Sequence, residues 1–378
     1  MTGTFLRTAA CGFLVIASLA SARAAPDAEA VGKMLTEAVG ATGETALTYD
    51  AASANGDAVT LTGVKLTATA DGSVASIPAL IVTGAAERQP GGFTATAFAF
   101  DAGTVTARGD SATWKTASFD DVVVPSADEI KAHVHVRPFK RVTFAGLNLS
   151  GADFAAPIDV ASVSTDVGDA VEGAPSNILL RATGVRLPTA LLTNSVINAI
   201  VGMLQYTEFL ADVTMDSEYD STADTITIHA FTIDAANVGK ITIAGKASAF
   251  SVRGMMDREK SAEARAAARL DALTVRIDNA GFIERMLDMQ AQLLGGTRDD
   301  VRAQLVGGAL PFALSFVDNQ AFRDQVQGAM TTFLADPKSL TITFAPATPV
   351  PLGKALRTAA RSPATLPDLL APTVQANN

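Results

Sequence analysis

The sequence predicts an α+β protein built on a long curved antiparallel β meander with bulged strands, covering helices and a helical C-terminal third. Three observations carry that reading. Between Gly43 and Pro188 apolar residues recur at every second position, in runs cut by Asn55-Gly56, Asp71-Gly72, Pro90-Gly91-Gly92, Asp101-Ala102-Gly103 and Gly109-Asp110. Such dipeptides accept positive φ, so between alternating runs they signal hairpins. Four of the runs share one internal irregularity, set out below. Beyond Asn279 the apolar period lengthens to that of helices.

Composition bounds the rest. The chain has 378 residues, 48% of them hydrophobic and 18% charged, with a mean hydropathy of +0.26. A disordered chain needs low hydrophobicity and high charge, so this one can bury a substantial core. The net charge of -10 argues against a nucleic-acid partner, which needs a basic face for phosphates. One cysteine and three histidines exclude a disulfide framework and a cysteine-based zinc site, and no cofactor is expected.

The first 24 residues read as an exported chain's signal peptide. Arg7 supplies the positive start, Thr8 to Ala22 is an uncharged run of 15 residues, and Ala22-Arg23-Ala24 offers small residues for cleavage. Fifteen residues cover only about 22 Å of a hydrocarbon core roughly 30 Å thick, too little for a lasting span. Cys11 would leave with the signal, giving a cysteine-free chain with 27 basic against 39 acidic residues. A periplasmic location follows, with no stable membrane span after cleavage.

The mature chain divides into an N-terminal β-rich region to residue 208, with a first helix and a covering helix, then a β meander plus helices over 209–361 and a proline-rich tail over 362–378. Asp27 to Val39 is the first helix, with Val31, Met34, Leu35 and Ala38 on one face and Gly40 and Gly43 ending it. Next come the four related segments, Val59 to Leu66, Ala117 to Val124, Val142 to Leu149 and Leu180 to Leu187. Each reads apolar-x-apolar-x, then Gly or Asp, then apolar-x-apolar, so alternation reverses phase at Gly63, Asp121, Gly146 and Gly184. A β-bulge at each would return the second apolar pair to the core face and bend the strand.

Leu187 to Thr207 is an uncharged run of 21 residues. Asn194, Asn198 and Gln205 give it a polar stripe that a lipid-facing helix would not keep, so Thr189 to Tyr206 is expected as a buried or groove-lining helix. Leu191, Val196, Ile200 and Met203 are its candidate groove-lining residues. Strands are expected at Ala211–Tyr219, Thr225–Ala235, Lys240–Val252, Leu270–Ile277 and Leu340–Phe344. Arg253 to Arg269 reads as a solvated helix or connector. Helices are expected at Gly281–Leu294, at Arg298–Val317 with a break near Pro311, at Gln320–Leu334 and around Leu352–Ala360. Beyond Ser362, several prolines suggest a loosely ordered end.

Chemistry-bearing constellations are few. His133 and His135 would share one strand face at a spacing that two zinc-bound imidazoles can use, with His229, Asp128 or Glu129 as a third ligand. Lys131, Arg137, Lys140 and Arg141 surround the pair, which favours solvated strand histidines over a metal-dependent hydrolase. Asp216, Glu218, Asp220 and Asp224 mimic half a calcium loop, but Ser221 and Thr227 stand where the EF-hand needs glycine and glutamate. The acids read instead as a solvent face whose other side carries Met215, Ser217 and Tyr219. No Gly-x-Ser-x-Gly, Ser-x-x-Lys, phosphate loop or dinucleotide fingerprint occurs. No catalytic residue is assigned.

Through the four segments and the signal peptide the chain resembles the AsmA-like and related periplasmic β-rich proteins of proteobacteria. Some members of those families are implicated in moving or organising envelope lipids. The chain departs from them in lacking a lasting anchor and in its helical C-terminal third, so no functional residues are carried over. The expectation is a non-enzymatic envelope protein binding a lipid or other hydrophobic ligand in an apolar groove. The alternative is a structural or protein-interaction module of the envelope with a filled core and an exposed strand edge or apolar patch.

Overall fold

The computed structural model describes residues 27–378 apart from 133, 135, 153, 172, 173, 257 and 258. The signal segment, Cys11, His133 and His135 lie outside the described residues.

Helix α1 (Ala28–Gly40) starts where the sequence predicts. Asp27 caps it, accepting from the backbone N–H of Glu29 and Ala30, and Val31, Leu35 and Ala38 are buried. The strands then follow in chain order as β1 (Thr45–Thr48), β2 (Ala51–Asn55), β3 (Ala58–Ala68), β4 (Val74–Thr83), β5 (Phe93–Ala107) and β6 (Asp110–Val124). After the short helix α2 (Ala127–Lys131) come β7 (Arg141–Ser150), β8 (Ile158–Val167) and β9 (Asn177–Pro188). Helix α3 (Ser195–Met203) precedes β10 (Glu208–Asp220), β11 (Thr225–Ala235) and β12 (Gly239–Ser248), and α4 (Val252–Met256) and α5 (Ser261–Ala267) precede β13 (Arg269–Asn279). The C-terminal third adds α6 (Phe282–Leu294), α7 (Arg298–Gln304), a π-helical turn (Leu305–Ala309), α8 (Leu310–Leu314) and α9 (Gln320–Ala335). Strand β14 (Ser339–Phe344), helices α10 (Leu352–Arg361) and α11 (Leu366–Leu370) and strand β15 (Pro372–Ala376) close the chain.

All these strands belong to one 17-stranded sheet, which also takes in the two-residue bridges Ala86–Glu87 and Val350–Pro351. From β3 to β15 each strand pairs antiparallel with the next, while β1 and β2 share the free side of β3. Twelve inter-strand spacings of about 4.8 Å carry the meander across nearly 60 Å. The pairing runs unbroken through residue 208, since Pro188 faces Glu208.

The four phase reversals are present, and their mechanism is richer than four bulges. Gly63, Asp121, Gly146 and Gly184 all have positive φ, at 62°, 51°, 63° and 60°. Only at Gly184 does the register shift, with Thr183 and Gly184 spanning one position of β10. At Gly63 and Gly146 the register continues, because the facing strands reverse their pleat at the same level. Asp121 does the same against β5, where the inward set changes from Phe93 and Ala95 to Phe98 and Phe100. A lone inserted residue was the expectation at each of these three; shared reversal across neighbours keeps the apolar side chains on one face without it.

Two further expectations are corrected. The tail past Ser362 is ordered: β15 pairs with β14, and Leu370 and Val374 are buried. Pro372 stands first in an edge strand, where its missing N–H costs nothing, and Val374 extends the apolar face. The expected helix Thr189–Tyr206 is shorter and mostly exposed. Asn194 accepts from the N–H of Val196 and Ile197, which starts α3 late, after a 3-10 turn at Thr189–Leu191.

Candidate functional site: an open apolar sheet face

Side chains directly opposite one another in an antiparallel pair lie on the same face. Following the register strand by strand therefore traces what that face presents. One row begins Val59, Val82, Phe98, Phe119, Val142, Thr165 and Leu180, taken from β3 to β9. It continues through Met215, Phe231, Ile243, Val275, Ile342 and Val374 to β15. Thr165 is its one polar member. The adjacent row runs Phe100, Ala117, Phe144, Val163 and Ala182, then Val213, Ile233, Ile241, Ile277, Leu340 and Ala376. The residues between them point the other way and are polar: Thr214, Thr232, Thr242, Arg276 and Thr341 lie in register on β10 to β14.

How this face is covered changes along the sheet. Over β3 to β6 it is a filled core: Val59, Leu61, Val82 and Phe93 are fully buried, and α1 packs on it. Phe100, Trp114, Phe119 and Phe144 interlock there with ring centroids 5.7 to 6.4 Å apart. At the far end α9 lies against β15 and β14, and Val350, Ala355 and Leu370 form a small cluster beside Leu270 and Phe344. Between these ends, among the described residues, no helix makes an extended contact with β9, β10, β11 or β12. The inward side chains there are half-buried, and Ile241 and Ile277 are 40% and 37% exposed.

A cavity of about 370 Å³ marks where the filled core gives way, lined by Leu35, Val39, Phe98, Phe119, Ile130 and Phe139 among others. Helix α2 forms one of its walls. An ion pair fixes that helix: Glu129, 7% exposed, accepts from Arg88 at 2.7 and 2.9 Å. Glu129 also closes a capping box with Ser126. The Arg88 guanidinium, then the Ser126 N–H, hold its carboxyl down at about 2.

The residues singled out from sequence fall elsewhere. Leu191 lies in the 3-10 turn, and Val196 and Met203 on α3 are 65% and 50% exposed. Ile200 is half-buried, and α3 packs chiefly against that turn rather than across the sheet. His229 sits on the polar face, 3.3 Å from Glu218. Asp216, Glu218 and Asp220 are exposed on the same face, while Met215, Ser217 and Tyr219 turn inward. Among the described residues no group of three or more His, Cys, Asp or Glu is placed to hold a metal. Among them, too, no helix is long and apolar enough to cross a membrane. The face that sequence reasoning did not assign residue by residue was visible only as alternation, since its continuity depends on register between strands.

Residues 232–377 match the model of a family described as "Uncharacterized protein", a stretch running from the last residues of β11 through β15 with the helices between them. No curated protein matches the chain.

Proposed function

We propose that this protein binds a lipid or similar long apolar ligand along the open part of the sheet face, as a non-enzymatic component of the cell envelope. The observation that supports it is the pair of apolar rows, covered at both ends of the sheet and half-exposed between them. The span from β9 to β13, where Ile277 is also exposed, is four strand spacings, about 19 Å, which exceeds one acyl chain's half-share, about 15 Å, of a bilayer's hydrocarbon core. Each methylene laid there leaves water at a gain of about 0.8 kcal/mol. The exported, periplasmic location and the kinship with AsmA-like proteins belong to this reading and rest on the signal-like N-terminus and the four phase-reversing segments.

A charge placed on the face tests it. In titrations with a fluorescent fatty acid, Ile243→Asp is expected to weaken binding at least tenfold, because it puts a carboxylate among the acyl contacts. Thr242→Asp, one residue along on the polar face, is expected to leave it unchanged. Equal affinity in both variants and the parent protein would count against the face as the site.

A further inference from the structure

Of the eight large apolar side chains exposed by 49% or more among the described residues, seven are gathered at one end of the sheet, and Leu356 on α10 stands at the other. Register places Pro188 opposite Glu208, Ala211 opposite Ala235, Gly239 opposite Asn279 and Asp278 opposite Ser339, so the connections carrying α3 and α6 to α9 leave from the same end. Tyr206, which follows α3, ties the two together. Its hydroxyl donates to the Asn237 carbonyl at 2.9 Å, and the Arg285 guanidinium of α6 lies 5.0 Å over its ring. On these connections Val196, Leu293, Phe312 and Phe316 are each 64 to 69% exposed. Ile197, Met203 and Leu294 are 49 to 58% exposed.

Such side chains on a water-facing tip carry a cost that a partner must relieve. Their setting says which kind. Leu187 to Thr207 and Leu305 to Val317 contain no charged residue. Five ion pairs stand among the groups bordering them: Arg186 with Glu208, Arg298 with Asp288, Arg302 with Asp299, Arg276 with Asp278 and Lys338 with Asp336. The other charged groups of α6 to α9, Glu284, Asp300, Asp318 and Asp324 against Arg285 and Arg323, give no basic excess. A border of ion pairs with no basic excess, around uncharged apolar tips, has nothing to hold an anionic surface and complements one that is neutral overall and apolar beneath. Ile241 and Ile277, the exposed members of the open face, stand in the half of β12 and β13 nearest this end.

We infer that this end of the sheet docks on a zwitterionic lipid bilayer, with α3 and the α7–α8 tip entering the interface and the open apolar face leading away from it. The inference rests on the reading of that face as a lipid site and names the surface from which the ligand enters. Entry is by apolar insertion, so it needs no anionic lipid and resists salt.

Flotation of the purified protein with phosphatidylcholine vesicles tests it. The protein is expected to float with the vesicles, with a bound fraction that changes less than about twofold between low and high salt. Phe312→Asp combined with Phe316→Asp is expected to lower vesicle affinity at least tenfold, and Val196→Asp with Ile197→Asp to lower it as well. All four positions are exposed, and circular dichroism checks that the variants stay folded. Three results would overturn the inference: no flotation of the parent protein, unchanged flotation of both variants, or self-association without vesicles that the same substitutions abolish while no vesicle binding is seen. Failure to float, with the free fatty acid still bound at the sheet face, removes the docking and leaves the ligand site standing.

Discussion

At Gly184 the backbone has φ 60°, and a Cβ built there would stand 2.8 Å from the Ala161 Cβ. Its N–H donates to Asp212 at 2.8 Å, so the bulge is held by a side chain of the facing strand. Gly184→Val is therefore expected to destabilise by at least about 2 kcal/mol, combining a left-handed backbone with a clash. Urea unfolding midpoints measure it. Glu129 supplies a second test at this scale. Its folded pKa of about 2 lies below the ordinary 4.5, so its stabilisation is complete above the unfolded value and is lost as pH falls toward 2. Glu129→Gln is expected to unfold at lower urea than the parent at pH 7. That difference should shrink steadily as the pH is lowered from about 4.5 toward 2, and a difference independent of pH would refute the ion pair's role. Gly63, Asp121, Gly146 and Gly184 were legible in the sequence because glycine or aspartate interrupts alternation there. The reversals facing Gly63 and Gly146 were not: Pro78, Lys115 and Ala161 carry no such signature, and register alone reveals them.

Among the elements, hairpin signals and alternation located most strands to within a few residues, and Thr225–Ala235 coincides with β11. Two failures share a cause. Apolarity was read as burial in Thr189–Tyr206, and prolines were read as disorder after Ser362, yet what decides both is whether a partner surface exists. The end of β14 offers one to β15; among the described residues α3 finds cover only for Val201 and its C-cap Leu204. The same distinction sets local stability. Strands β3 to β6, beneath α1, are expected to show the slowest amide exchange, and β9 to β12, with one face half-open, faster exchange at similar hydrogen bonding. Adding a long-chain fatty acid should slow exchange in β9 to β13 and leave β3 to β6 unchanged. Hydrogen-exchange mass spectrometry reads both segments in one experiment.

Across the whole molecule, one sheet carries an apolar face from β3 to β15, with Thr165 the one polar member of its first row, and among the described residues helices cap its ends while none makes an extended contact over the middle. A sheet facing water on both sides would alternate polar residues on each. This one keeps Leu180, Met215, Phe231, Ile243 and Val275 in register on one side and Arg181, Thr214, Thr232, Thr242 and Arg276 on the other. A filled-core scaffold would show the same asymmetry; what the ligand reading explains is an apolar face left half-exposed over β9 to β12. The alternation was legible in the sequence; the continuity of the rows, and their exposure in the middle, required the fold.

Native mass spectrometry with organic extraction, on protein purified from its own source, tests the central claim most directly. The account predicts a phospholipid or fatty acid held at near one equivalent and lost on organic extraction. A protein that carries nothing, and takes up no lipid when offered it, would contradict the account and leave the open face as a docking surface for another protein.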